Sequence, residues 1–199
     1  MPVPRILIIH GSRYGQTAKI ATRIAKVLEY EHFRASIKAA EEVREPIDLA
    51  RYTGVIVGAP VLVSKHPRAA RRFVITHRAA LDKMPSAFFS VSGSAAGQEL
   101  SQQANALRML DEFLELTRWH PTRTASFAGA MAFTRYNFFV RWAMKRIAKK
   151  AGVSTDTSRD HEFTDWHAVE RFAAEFAALV APLVPMARRT PRAPLVFIA

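Results

Sequence analysis

Four consecutive apolar residues, Ile6-Leu7-Ile8-Ile9, stand near the start of the chain and give way to Gly11 two positions later. A short unbroken apolar run closed by glycine has the pattern of a parallel strand buried on both faces. From Gln16 to about His32 the period changes, and Ile20, Ile24, Val27 and Leu28 share one face of a helix. The alternation then recurs. Ala35–Lys38 predicts a weaker second strand, Val55-Ile56-Val57 a third, Ala87-Phe88-Phe89-Ser90-Val91 a fourth and Ala125–Ala130 a fifth. Helical patterns occupy about Pro67–Leu81, about Gln98–Thr117 and Trp166–Ala181. The last buries Val169, Phe172, Ala173, Phe176, Leu179 and Val180 behind an N-cap at Thr164 or Asp165. Five strands alternating with helices predict an α/β fold built on a doubly wound parallel sheet. In such sheets ligands sit beyond the carboxyl ends of the strands.

At 199 residues and 49% hydrophobic, the chain can bury one substantial core, and no internal repeat divides it. We expect a main domain over residues 1–181, with a helical insertion at about 131–163, and a tail over 182–199. The tail combines Pro182, Pro185, Pro191 and Pro194 with Arg188, Arg189 and Arg192 before the apolar run Leu195-Val196-Phe197-Ile198. That composition predicts an extended segment. There is no cysteine, so disulfides, thiolate zinc sites, iron–sulfur clusters and cysteine nucleophiles are all excluded. Redox chemistry would have to come from a bound cofactor.

The first residues lack the basic, apolar and small-residue succession of a secretory signal. No run approaches the roughly 18 apolar residues of a membrane span. The expectation is a cytoplasmic protein, with peripheral attachment to the inner face of the cell membrane left open.

Charge changes the picture further. The formal net charge is +12 and the isoelectric point is near 10.7, which favours anionic partners. No acidic residue falls between Leu116 and Thr155, a stretch that holds Arg135, Arg141, Lys145, Arg146, Lys149 and Lys150. Asn137–Ala151 suits a helix with Phe139, Val140, Ala143, Met144, Ile147 and Ala151 on one arc. Phe138 and Trp142 fall among the cations of the opposite arc. They either sit at the headgroup level of an anionic membrane, where basic residues contribute about 1 kcal/mol each, or pack against the domain.

The turn after the first strand, Ser12-Arg13-Tyr14-Gly15-Gln16-Thr17, leads directly into a helix. Two hydroxyls, a glycine that admits close backbone approach, and the free amides and dipole of a helix N-terminus together make a phosphate cradle. Neither G-x-x-x-x-G-K-[ST] nor G-x-G-x-x-G is present, which excludes the nucleotide-hydrolase loop and the dinucleotide fingerprint.

The hydroxyl-x-x-Gly-Gln-Thr run resembles the FMN phosphate loop of flavodoxins. That resemblance implies a flavodoxin-like sheet of order 2-1-3-4-5 and two further loops around the flavin ring. These would be Pro60-Val61-Leu62 after strand three and Ser92-Gly93-Ser94 after strand four. More specifically, several segments resemble the flavodoxin-type, menaquinone-dependent protoporphyrinogen oxidases of bacterial heme synthesis. They are Gly15-Gln16-Thr17, Met84-Pro85-Ser86-Ala87-Phe88, Trp119 with Pro121 and Arg123, Ala128-Gly129-Ala130, Arg135-Tyr136, Thr155-Asp156-Thr157 and Thr164-Asp165-Trp166. The resemblance spans about Ile6 to Leu179 and implies FMN, a porphyrinogen-like reductant and a quinone acceptor, with the flavin as catalytic centre.

One departure stands out: neither ring-enclosing loop has an aromatic residue. A stacked ring would contribute about 0.5 to 1.5 kcal/mol. Either FMN is held weakly or Leu62 serves as an aliphatic cover.

Arg68 and Arg71, beside the second loop, pair with propionate carboxylates or form a solvated helix face. His66 is the histidine nearest the flavin loops and is either a proton acceptor or a plain surface residue. The histidines form no metal-binding spacing, so no metal is expected. No motif supports specific nucleic-acid recognition, although the charge alone would give salt-sensitive association. Homo-oligomerisation is left open. The alternatives to the oxidase are another flavodoxin-type electron-transfer protein or quinone reductase, and a flavodoxin-fold binding module without cofactor.

Overall fold

Ile6, Leu7, Ile8 and Ile9 are all fully buried, because strand β1 (Arg5–His10) is covered by helices on both faces. A computed structural model describes residues 3–97, 99–135, 142 and 156–183. In chain order the elements are β1, α1 (Gln16–Tyr30), β2 (Arg34–Ala39), β3 (Gly54–Pro60), α2 (Arg68–Leu81), β4 (Ser86–Ser92), α3 (Leu100–Thr117), β5 (Arg123–Ala128), β6 (Ala130–Met131), β7 (His161–Glu162) and α4 (Trp166–Val180). Strands β1 to β5 form a parallel sheet of order β2-β1-β3-β4-β5. The expected fold is the one observed.

Side-chain alternation assigns the two layers. Ile6, Ile8, Ile56 and Phe89 face α1 and α4, where Ile20, Ile24, Leu28, Phe172 and Phe176 close the core. Leu7, Ile9, Val57 and Phe88 face α2 and α3, where Phe73, Val74, Leu110 and Phe113 close the other. Trp119, 1% exposed, seals that second layer and donates from Nε1 to Ser86 Oγ at 3.3 Å.

Helix ends follow local chemistry. Helix α1 stops before His32, whose φ of 66° permits the Phe33 amide to reach back to Leu28 O at 2.9 Å. Of the two cap residues expected for α4, Asp165 is the cap, accepting from Ala168 N at 3.0 Å. Leu179, expected on the buried face, is 37% exposed; Ala177 takes the inward position.

The fifth strand also differs from expectation. It ends at Ala128 instead of continuing to Ala130. Gly129 turns away, its amide donating to Ser92 O at 3.0 Å and its carbonyl accepting from Phe163 N at 3.1 Å. Ala130 and Met131 then pair antiparallel with Glu162 and His161. The β6–β7 ladder is thus the stem from which the expected insertion departs.

The helix expected over Asn137–Ala151, with Phe138, Arg141 and Lys145, lies outside the described residues, apart from Trp142, which is 56% exposed. Arg135 closes a short 3-10 turn with Phe133 and Thr134. Most of the basic tail, residues 184–199, also lies outside the described residues.

Candidate functional site

The three loops singled out in the sequence follow β1, β3 and β4, so the topology brings them to the carboxyl edge of three adjacent strands. In the first, Gly15 is the residue before α1 and takes φ 97°, a conformation open to glycine. That bend lets the Gly15 and Ala18 amides converge on Ser12 Oγ, at 3.2 and 3.4 Å. Both amides are thus taken up by the Ser12 hydroxyl at the N-terminus of a helix, where the dipole favours an anion, and a phosphate fits beside that hydroxyl.

The Arg13 guanidinium lies 5.8 Å from the centre of the Tyr14 ring. Tyr14 packs on Met131, Ala132 and Phe133 at the insertion stem. Gln16 donates from Nε2 to Thr164 Oγ1 at 2.8 Å. Thr17 is 2% exposed, on the buried face of α1.

The second loop is a two-residue hairpin turn. Val61 N donates to Val91 O at 2.7 Å, and Leu62 and Lys65 exchange backbone bonds at 2.8 and 3.1 Å. Val63 and Ser64 between them have φ of 49° and 59°, the signature of a type I′ turn without glycine. A β-branched residue there is strained, and such outliers cluster at ligand sites. Val63 is 97% exposed, whereas Leu62 is partly buried. The side chain presented by the turn is therefore Val63, which a Leu-Val-Ser-Lys run does not disclose.

His66 follows the turn and is partly buried. Its Nε2 lies 2.9 Å from Ser90 Oγ, and its ring packs edge-on against Phe88 and Phe113, with centroids 5.5 and 5.0 Å away. Burial pushes its pKa down to about 4, so the imidazole is neutral near pH 7. His10, at the end of β1, has a buried Nδ1 without a hydrogen-bond partner. Burial lowers its pKa too, against the opposing pull of Glu41 and Glu42.

In the third loop Ser92 Oγ accepts from Ala95 N at 3.1 Å, and Ser94 Oγ accepts from Asn105 Nδ2 at 3.2 Å. A Cβ added to Gly93 would meet nothing within 4 Å, so open space lies beside this glycine.

The flavodoxin domain family matches residues 7–158. The chain belongs to the flavodoxin domain family. Within it, the chain is 35% identical over 176 residues to a protein of Escherichia coli (strain K12) named protoporphyrinogen IX dehydrogenase [quinone], covering 88% of this chain and 96% of that one. A Leishmania major protein of the same name is 34% identical over 184 residues, covering 92% of this chain and 78% of its own length. The structure of oxidised flavodoxin 1 from Bacillus cereus superposes with a TM-score of 0.53 at 17% identity, covering 87% of this chain and 97% of that one. That likeness establishes the fold.

Two cationic regions flank the loops of this flavodoxin-domain chain. Helix α2 begins at Arg68, with Arg71 one turn on and no acidic residue in its first turn. Cations at a helix N-terminus oppose the macrodipole, so this end of α2 adds positive potential at the sheet edge where the loops lie. A cleft of about 830 Å³ also runs between α1 and α4, lined by Lys19, Arg23, Lys26 and Trp166. Lys19 pairs with Glu162 and Arg23 with Glu170, which neutralises much of it. No helix among the described residues is long and apolar enough to cross a membrane.

Proposed function

We propose that this chain is an FMN-dependent oxidoreductase that passes electrons from a porphyrinogen to a quinone, and thus acts as a protoporphyrinogen oxidase in heme synthesis. The observation that supports it most directly is the convergence of the Gly15 and Ala18 amides on one oxygen in a chain 35% identical to a protoporphyrinogen IX dehydrogenase [quinone]. Ser12, Arg13, Tyr14, Gly15, Gln16 and Thr17 form the phosphate loop. Pro60, Val61, Leu62 and Val63, with Ser92, Gly93 and Ser94, would hold the ring.

When bound, FMN supplies the two-electron chemistry, accepting hydride from the substrate and returning electrons to the quinone. The chain's own residues bind and orient. Arg68 and Arg71 offer cations to substrate carboxylates at the sheet edge. His66 holds the second loop to the sheet through Ser90. Residues 1–181 are the FMN domain, with the insertion at about 131–163. Arg135, Phe138, Arg141, Trp142 and Lys145 are assigned to contact with an anionic membrane at the cytoplasmic face, from which menaquinone is reached; the exposure of Trp142 supports this.

The test is an FMN titration followed by visible absorption, comparing wild type with a Ser12→Ala, Thr17→Ala double variant. Binding by wild type, weakened at least about tenfold in the variant, supports the cradle and leads to assays with protoporphyrinogen and menaquinone. A wild type that binds no flavin makes the cofactor-free binding module the better account, which the lack of aromatics in both ring loops favours. Flavin binding without porphyrinogen turnover leaves a flavodoxin-type quinone reductase or electron carrier.

A further inference from the structure

Thr164 belongs to a motif, Thr164-Asp165-Trp166, that neither the phosphate loop nor the ring loops absorb. Its hydroxyl makes two hydrogen bonds whose direction is fixed by chemistry. A carbonyl can only accept, so the hydroxyl proton goes to Ala128 O, 2.8 Å away at the end of β5. The oxygen must then accept, and it does so from Gln16 Nε2 at 2.8 Å. Gln16 is the first residue of α1, immediately after the Gly15 bend of the phosphate loop. One hydroxyl thus ties the phosphate loop to the far edge of the sheet.

Two other contacts lie on the same side of the loop. Tyr14 packs on the cluster of Met131, Ala132 and Phe133, against which Phe163 also lies. One turn into α1, Lys19 Nζ reaches Glu162 Oε2 at 3.1 Å, and Glu162 Oε1 in turn accepts from Trp166 Nε1 at 2.9 Å. Residues 14, 16 and 19 therefore grip residues of the β6–β7 stem and the segment that follows it. The stem is itself fastened to the end of the sheet by Phe163 N and Gly129 O at 3.1 Å.

We propose that Thr164 is a positioning residue for the phosphate-binding loop, and that phosphate binding at this loop is coupled through Gln16 and Thr164 to the stability of the β6–β7 stem. The proposal rests on the FMN reading above for the identity of the phosphate. An anion held by the Ser12 hydroxyl restricts Gly15 and Ala18, whose amides donate to that oxygen, and with them Gln16 between, whose side chain is on Thr164. Whatever restricts the loop restricts the stem, and a loosened stem weakens the loop.

The test is hydrogen exchange on the full chain with and without saturating FMN, alongside FMN titration by visible absorption. The reporters are the Phe163 amide, bonded to Gly129 O, and the Thr134 amide, bonded to Asp160 Oδ1 at 2.9 Å. In wild type, FMN should slow both by about tenfold or more. Thr164→Val, which keeps the shape and loses both hydrogen bonds, should bind FMN about tenfold more weakly and lose the slowing at Phe163 and Thr134 while keeping it at Gly15 and Ala18. Thr164→Ser, which keeps the hydroxyl, should restore both readouts.

Unchanged FMN affinity in Thr164→Val, or equal slowing of the stem in that variant and in wild type, overturns the proposal. If wild type binds no FMN, the functional reading fails while the clasp is still measurable. Gln16→Ala should then speed Phe163 exchange in the ligand-free chain, and an unchanged rate would sink the coupling itself.

Discussion

His66 Nε2 and Ser90 Oγ lie 2.9 Å apart, joining the segment after the second loop to the middle of β4. The ring sits against Phe88 and Phe113, and burial there lowers its pKa to about 4 from the ordinary 6.5. The unfolded chain takes up this proton near pH 6.5, while the folded chain resists it until about pH 4. Stability from this group is therefore undiminished above pH 6.5 and falls as the pH drops through the window from 6.5 to about 4. Between pH 7.5 and 4.5, denaturant unfolding of wild type should lose about 2 kcal/mol more than a His66→Gln variant. His10 titrates in both proteins, so the comparison isolates His66. Parallel pH profiles would show that this imidazole protonates without cost.

The strain at Val63 gives a prediction in two parts. Val63→Gly removes the Cβ from a backbone at φ 49°, and should stabilise the ligand-free protein by about 1 kcal/mol. Val63→Tyr leaves the turn in place and adds an aromatic face. It should tighten FMN binding by about 0.5 to 1.5 kcal/mol and quench the bound flavin's fluorescence. If affinity and fluorescence in Val63→Tyr match wild type, the turn does not face the ring.

How much of this was legible in the sequence depended on whether the cause was local. Strand β1 and helices α1 and α4 were readable because each buries a face whose period is written in consecutive residues, such as Ile6 to Ile9. The break at Gly129 was not, because a single glycine within Ala125–Ala130 marks a bulge or a close approach as readily as a strand end. What ends the strand is a pair of backbone hydrogen bonds, one to Ser92 and one from Phe163, both distant in sequence.

The site divides in the same way. The bend at Gly15 and its bond to Ser12 could be read from a glycine and a hydroxyl next to a helix start. The exposure of Val63 depends on a turn conformation that its four residues do not advertise. The pairing of His66 with Ser90 required knowing that β3 and β4 are neighbours. Family resemblance supplied the likeness to the oxidases; periodicity alone led only to a doubly wound sheet.

Gly58 is required by packing, with no unusual backbone conformation of its own. In β3 it pairs with Phe89 of β4, and a Cβ at this position would lie 2.0 Å from Phe89 Cζ. The ring has little room to retreat, because Phe127 and Phe172 lie against it with centroids 5.9 and 6.3 Å away. Gly58→Ala should destabilise the fold by about 2 to 3 kcal/mol in chemical denaturation, with partial recovery in a Gly58→Ala, Phe89→Leu double variant. A loss under about 0.5 kcal/mol would mean that the ring moves freely.

Ser12 separates a structural role from a binding one. Its oxygen accepts from the Gly15 and Ala18 amides, so it caps α1 in the ligand-free chain, and Ser12→Ala should lower stability by about 1 kcal/mol on that ground alone. FMN at about a hundred times its Kd should stabilise wild type by about 2.7 kcal/mol, which raises the Tm by roughly 5 to 10 °C for a chain of this size. With a phosphate in the loop, the hydroxyl is free to turn its own proton toward a phosphate oxygen and make a charge-assisted bond that alanine lacks. The difference in Tm between wild type and Ser12→Ala should therefore widen when FMN is added. A difference that stays constant would make Ser12 a helix cap and nothing more. One that closes would mean that the phosphate takes over the amides and displaces the hydroxyl.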